Sequence, residues 1–343
     1  MNLAIFFDGT WNEPNDKTNA FLLFNLAKET DDQARLYVQG VGTQGKGLFS
    51  FADKILGGAF GDGFSENIKT AYRWLCERYE PDASIYIFGF SRGAYSARSL
   101  AGLVRKCGLV NDTSDASIDE AYGLYRDQTV SANDDHAVRF RMQFSREVTI
   151  AFVGVWDTVG ELGISVDGLP LPSFSSFYRF HDTTLSNSTK AAYHAIAANE
   201  FRSLYKPTLW TQGTEDRGSL PLEQRWFAGA HANVGGGYVT PPRFLPLILA
   251  EWLRKKAEAH GLAFTQAVEI PETAYTCDPV DSYAEFTEYS SILADVCKKE
   301  ARTAGGALNE IIDASLFNRL DHAGFLNAYP ALREQLRTLP IGT

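Results

Sequence analysis

A chain of 343 residues, 45% hydrophobic and 22% charged, is long enough for one large α/β domain or two small ones and too apolar for wholesale disorder. Its formal net charge of −10 argues against nucleic acid as a partner and against tight electrostatic docking on anionic membranes. The opening Met1-Asn2-Leu3-Ala4-Ile5-Phe6-Phe7-Asp8 has no basic region and too short an apolar run for a signal peptide, and no stretch approaches the roughly 18 apolar residues of a membrane span, so synthesis as a soluble cytoplasmic chain is predicted.

Residues 3–7 form a short apolar strand ending in the turn Asp8-Gly9-Thr10. Residues 36–41 read as a second strand. Residues 65–78 are predicted as a helix, because Ile68, Ala71, Tyr72 and Leu75 recur at i, i+3, i+4 and i+7. An apolar run over 85–88 leads into Gly89-Phe90-Ser91-Arg92-Gly93, and the alanine-rich segment 94–104 follows. That is strand, sharp turn and helix, with a serine at the apex. The polar insertion 110–146 is predicted to be helical. Residues 148–156 are nearly all apolar, the mark of a strand buried on both faces of a parallel sheet. A second insertion, 163–185, carries Leu169-Pro170-Leu171-Pro172 and then Phe174 and Phe177. It reads either as a proline-stiffened loop packed on the core or as an apolar lid in which Leu169, Leu171, Phe174 and Phe177 touch an acyl chain. Residues 225–228 are a further strand, and Leu245, Ile248, Leu249, Trp252 and Leu253 mark a late amphipathic helix. No repeat or linker divides the chain. The alternation predicts a single domain over 1–343, a three-layer α/β sandwich with a mainly parallel central sheet. Cys76, Cys107, Cys277 and Cys297 have no metal-ligand spacing and read as ordinary thiols of a reduced compartment.

A serine hydroxyl is a weak nucleophile at neutral pH. It needs a base within hydrogen-bond reach, and that base needs an orienting carboxylate. In doubly wound hydrolases these follow in the order Ser, Asp or Glu, His, each at the C-terminal end of a strand. After Ser91, the strand 148–156 runs straight into Asp157, which makes Asp157 the expected acid, with Asp167 and Asp182 as fallbacks. Among His136, His181, His194, His231, His260 and His322, only His231 directly follows a candidate strand and opens a glycine-rich loop. It is the expected base. His194 is assigned to a helix, as a structural histidine. The oxyanion should meet the Arg92 amide and a second amide from Gly9 or Thr10, with Gly57, Gly58 and the Gly61-Asp62-Gly63 turn as alternatives. No cofactor and no metal are expected.

Phe7-Asp8-Gly9-Thr10-Trp11-Asn12, Gln39-Gly40-Val41-Gly42-Thr43, Phe88-Gly89-Phe90-Ser91-Arg92-Gly93-Ala94, Gly154-Val155-Trp156-Asp157-Thr158-Val159-Gly160 and the loop from His231 to Tyr238 occur in this order. Together they resemble the α/β-hydrolase catalytic domain of type VI secretion phospholipase effectors. The resemblance reaches Asp281-Ser282-Tyr283 and Ile312-Asp313-Ala314-Ser315 near the end. It implies a calcium-independent hydrolase of glycerophospholipid acyl esters with its catalytic roles on Ser91, Asp157 and His231. It also implies a lipid or acyl-ester substrate, transient membrane contact, a delivery protein of the secretion machine, an inhibitory immunity protein and export into target cells. One departure is Asn233, where family members often carry aspartate.

Two other readings stay open at this point: an esterase or thioesterase on soluble acyl substrates, and a non-catalytic binding module on a hydrolase fold. A phosphotransferase of the haloacid dehalogenase kind, suggested by Asp8-Gly9-Thr10, would need an aspartate where this chain has Phe6.

Overall fold

The computed structural model describes the chain except residues 10–11, 13, 42–59, 160–183, 214–219, 238–243, 289–296, 323–324 and 343. Thr10, Gly57, Gly58, Tyr238, Asp167, Asp182 and the apolar residues Leu169, Leu171, Phe174 and Phe177 lie outside the described residues.

Eight strands form one parallel sheet: β1 (Asn2–Phe7), β2 (Gln33–Val38), β3 (Ser84–Phe90), β4 (Ile150–Trp156), β5 (Ala192–Ala197), β6 (Leu222–Phe227), β7 (Glu310–Asp313) and β8 (Ile341–Gly342). Their spatial order is β2-β1-β3-β4-β5-β6-β7-β8. The winding direction reverses between β1 and β3, and the crevice at such a switch point is where ligands collect in α/β sheets.

The central strands are apolar on both faces because helices cover both. On β1, Leu3, Ile5 and Phe7 face one core and Ala4 and Phe6 the other. The first core is closed by α2 (Phe60–Arg78) and α3 (Arg92–Cys107), the second by α1 (Asn19–Leu26) and, late in the chain, Leu245–Ala259. Phe6 stacks on Phe88 with ring centroids 4.6 Å apart, and both are fully buried. Burying a phenylalanine of this kind contributes about 1.5–3 kcal/mol. A third cluster joins Ile196, Trp226 and Ile312 to Leu316, Leu320, Leu332 and Leu336 and seals the far part of the sheet.

The polar insertion 110–146 folds as α4 (Asp115–Arg126) and α5 (Asp135–Phe144), closed at its base by a short antiparallel ribbon pairing Leu109–Val110 with Ser145–Arg146. Several expectations are corrected. The helix predicted over 65–78 spans Phe60–Arg78, so Gly61-Asp62-Gly63 lie inside it rather than in a turn before it, and the strand predicted over 225–228 spans Leu222–Phe227. The second strand spans Gln33–Val38 rather than 36–41, because its register against β1 pairs Gln33 with Asn2 and Val38 with Phe7. His194 stands on β5, not on a helix. Alanine favours helix in isolation, but here small residues fill a central strand wedged between β4 and β6, and tertiary pairing overrides propensity.

Candidate active site

Ser91 follows β3 and caps α3. Its backbone sits at φ 57°, ψ −122°, a region that costs a non-glycine residue about 1–3 kcal/mol. The turn is possible because its flanks lack side chains. A Cβ on Gly89 would lie 2.4 Å from the Gly93 carbonyl oxygen, and one on Gly93 would lie 2.4 Å from that of Asp8 and 2.5 Å from that of Phe7. The Ser91 amide donates to the Trp156 carbonyl at 3.0 Å, which ties the apex to β4. Gly93→Ala is expected to lower stability by about 1–3 kcal/mol through backbone overpacking. Chemical unfolding would read it, and an unchanged midpoint would contradict the close packing of the turn on β1.

Asp157 follows β4 directly and is fully buried. Its Oδ1 accepts from the Ala197 amide at 3.0 Å and from Arg302 Nη1 at 2.6 Å. Its Oδ2 accepts from His231 Nδ1 at 2.6 Å and from Arg302 Nη2 at 2.9 Å. Burial alone would raise its pKa, but the Arg302 guanidinium and His231 outweigh burial and hold the carboxyl well below the usual range. Asp157 is therefore ionised, so Nδ1 of His231 carries the proton and donates it.

His231 opens the short helix α6 (His231–Gly235), and its Nε2 lies 2.8 Å from Ser91 Oγ. In the tautomer fixed by Asp157, Nε2 accepts from the serine hydroxyl. Burial pushes the imidazole below its ordinary value, more than Asp157 raises it. The ring packs against Phe90 at 4.8 Å and Tyr205 at 5.1 Å. The His231 amide donates to Glu200 Oε2 at 3.1 Å, and Ser282 Oγ donates to the same oxygen at 3.0 Å. Burial raises the Glu200 pKa, but the forked Arg202 wins and takes it down to about 2. Asn233 Oδ1 accepts from the amides of Ala230 and Val280 at 3.1 and 2.9 Å. A carboxylate oxygen could accept the same two bonds, so asparagine and aspartate would serve this turn equally as acceptors.

His194 makes no bond to Ser91. Its Nε2 accepts from the Thr158 amide at 3.1 Å, and burial, with Arg98 nearby, drives its pKa down to about 3. It is a neutral brace behind Asp157.

Arg92 starts α3, next to the nucleophile. The Gly9 amide donates to Asp8 Oδ1 at 2.7 Å. Gly9 does approach closely, since a Cβ there would lie 3.4 Å from the Ser91 Cβ. Asp8 is a buried hub whose Oδ2 accepts from Thr18 Oγ1 at 2.6 Å and Tyr37 Oη at 2.7 Å. Burial raises its pKa from 3.8 to about 6 despite those bonds. With the folded pKa above the unfolded one, the folded chain holds a proton that the unfolded chain releases between pH 4 and 6. Acidification through pH 6 therefore stabilises the native chain relative to Asp8→Asn. Urea unfolding is expected to show this difference moving by about 1 kcal/mol in the native chain's favour between pH 7 and pH 5. A difference independent of pH would refute it.

Arg302, Glu200, Arg202 and Asp8 are the supporting residues that sequence reasoning missed. Among the described residues, no group of three or more His, Cys, Asp or Glu is arranged to hold a metal ion. Among the same residues, no helix is long and apolar enough to cross a membrane.

A protein of Saccharomyces cerevisiae, uncharacterized, is 29% identical over 232 residues, which are 61% of this chain and 33% of that protein. The chain thus spans about a third of the length of that curated relative. The structure of the Tle1 effector bound to the VgrG spike of the type VI secretion system is 22% identical, with a TM-score of 0.35 over 70% of this chain and 52% of that one. An uncharacterized protein from Pseudomonas aeruginosa is 16% identical, with a TM-score of 0.44 over 86% of this chain and 50% of that one. The model of the type VI secretion system phospholipase effector Tle1-like catalytic domain matches residues 1–256. The segment after residue 256, where the motif resemblance was expected to continue, lies outside that match. With three quarters of its length matched, the chain belongs to the Tle1-like phospholipase effector family.

Proposed function

We propose that this chain is a serine hydrolase cleaving carboxylic acyl esters of glycerophospholipids, with Ser91 as nucleophile, His231 as base and Asp157 as orienting acid. The observation that carries this reading is the unbroken run of hydrogen bonds from Ser91 Oγ through His231 to Asp157, at 2.8 and 2.6 Å. Family membership supports the phospholipid ester as substrate.

Ser91 Oγ attacks the acyl carbonyl while its proton passes to His231 Nε2. The carbonyl π pair moves to oxygen, and the Arg92 amide, at a helix N-terminus, is the proposed donor to that oxyanion. Collapse breaks the bond to the glyceryl oxygen, which leaves with the proton from Nε2. Water then attacks the acyl-serine, gives a proton to Nε2, and the second collapse returns it to Ser91 Oγ and frees the fatty acid. Leu169, Leu171, Phe174 and Phe177 are proposed acyl-chain contacts. Transient membrane contact, delivery by a type VI secretion protein and restraint by an immunity protein belong to the same proposal.

The test is a mass-spectrometric product assay on mixed phospholipids, with Ser91→Ala as control. Serine-dependent lysophospholipid and fatty acid are expected. Turnover of short soluble esters alone would replace the phospholipase by an esterase or thioesterase. No Ser91-dependent turnover and no fluorophosphonate labelling would leave a binding module.

A further inference from the structure

The carboxylate behind His231 carries an unusual load. Arg302 forks onto both oxygens of Asp157 at 2.6 and 2.9 Å. The same two nitrogens donate to the carbonyls of Ala197 at 2.8 Å and Tyr205 at 2.6 Å. The Arg302 side chain is 3% exposed and that of Asp157 is 0% exposed. Such a guanidinium is fixed from two sides, and its plane dictates the plane of the carboxylate. Arg302 also lies outside residues 1–256, so nothing in the family match assigns it a role.

The charges facing the pair can be balanced. From the loop after β5 come Glu200 and Arg202, bound to each other through two bonds of 2.8 Å. From β5 comes His194, neutral. From α3 comes Arg98, stacked 4.6 Å over the Trp210 ring and set behind His194. Lys206 and Glu300 face each other at 3.8 Å on the exposed rim. Glu200 is answered by Arg202 and Asp157 by Arg302, while Arg98 adds a further positive charge behind His194. With both pairs in place, a proton on His231 adds a net positive charge to a buried site. With Arg302 removed, the same proton would neutralise a buried negative one.

Resting on the triad reading above, we propose that Arg302 is a positioning residue for the reaction. It holds Asp157 in line with His231 and cancels its charge, so that His231 stays neutral and able to accept the serine proton in mildly acidic surroundings. An Asp–His pair without such a cation would already be protonated there. The sign does not depend on which partner takes the proton, because losing a nearby positive charge raises the proton affinity of the pair as a whole.

The experiment compares Arg302→Met and Arg302→Lys with the native chain in pH–rate profiles of ester cleavage. Rates are normalised to the amount of Ser91 labelled by a fluorophosphonate. Arg302→Met is expected to move the acid limb upward by about 1–2 pH units. Arg302→Lys, which keeps the charge and loses the fork, is expected to leave the limb within about half a unit while lowering the plateau about tenfold. A purely structural arginine would lower the plateau in both and move neither limb, and that result overturns the proposal. If Arg302→Met does not fold, Arg302→Gln, which keeps amide donors and loses the charge, takes its place, and an acid limb left within about half a unit of the native one overturns the proposal. Failure of native Ser91 to label rejects the triad itself, whereas a labelled serine with an unmoved limb in Arg302→Met rejects only the part given to Arg302.

Discussion

Ser91→Ala is expected to lower kcat by about 10⁵–10⁶, and His231→Ala by a similar factor, with little change in fold stability for the serine variant. The hydroxyl at 91 is 2.8 Å from Nε2 of a histidine whose other nitrogen is committed to an ionised acid. Removing either group ends proton transfer and acyl-enzyme formation together, so the two losses are not additive, and the double variant should be no slower than either single one. Single-turnover kinetics on a chromogenic ester would check this. An alanine variant keeping a tenth of native turnover would exclude Ser91 as the nucleophile.

Asp157→Asn should lower kcat by about 10⁴, and here the surroundings specify how. Each carboxylate oxygen faces two donors, but the Ala197 amide and Arg302 Nη1 at Oδ1 are both fixed, whereas His231 at Oδ2 can change tautomer, so an asparagine keeps its oxygen at Oδ1. Its NH₂ is then forced toward His231 Nδ1. That reverses the tautomer, and Nε2 would point a proton at Ser91 instead of a lone pair. The same substitution leaves Arg302 buried without its counter-charge, which costs about 3–5 kcal/mol when one partner of a buried pair is lost. Activity and unfolding midpoint should therefore fall together in Asp157→Asn, and activity alone in Ser91→Ala. An Asp157→Asn protein with native stability and a hundredth or more of native activity would contradict the buried pairing.

Much of this arrangement was legible in the residues. β1, β3 and β4 announced themselves as unbroken apolar runs because they are covered on both faces. The rule that catalytic groups sit at strand ends selected Ser91, Asp157 and His231, and the fold brings those three together. β5 was hidden by its alanines, whose local preference for helix is opposite to the role the sheet gives them. β7 was hidden by its first residue, Glu310, a buried carboxylate that accepts from Trp226 Nε1 at 2.7 Å. Nothing in a linear motif says that the Asp8 carboxylate folds back onto the Gly9 amide. Arg302 was the least visible. In Lys298-Lys299-Glu300-Ala301-Arg302 it looks like part of a solvated charge run, and its partner lies 145 residues earlier.

The Gly235 position limits how this site can vary. A Cβ there would fall 1.9 Å from the Phe90 ring, which itself packs on His231 and adjoins Ser91. Residues 90 and 235 therefore share one volume, and neither can be enlarged alone. Across related chains the two positions should covary, with any side chain at 235 paired to a smaller one at 90. A library randomised at both should return only those compensated combinations as active.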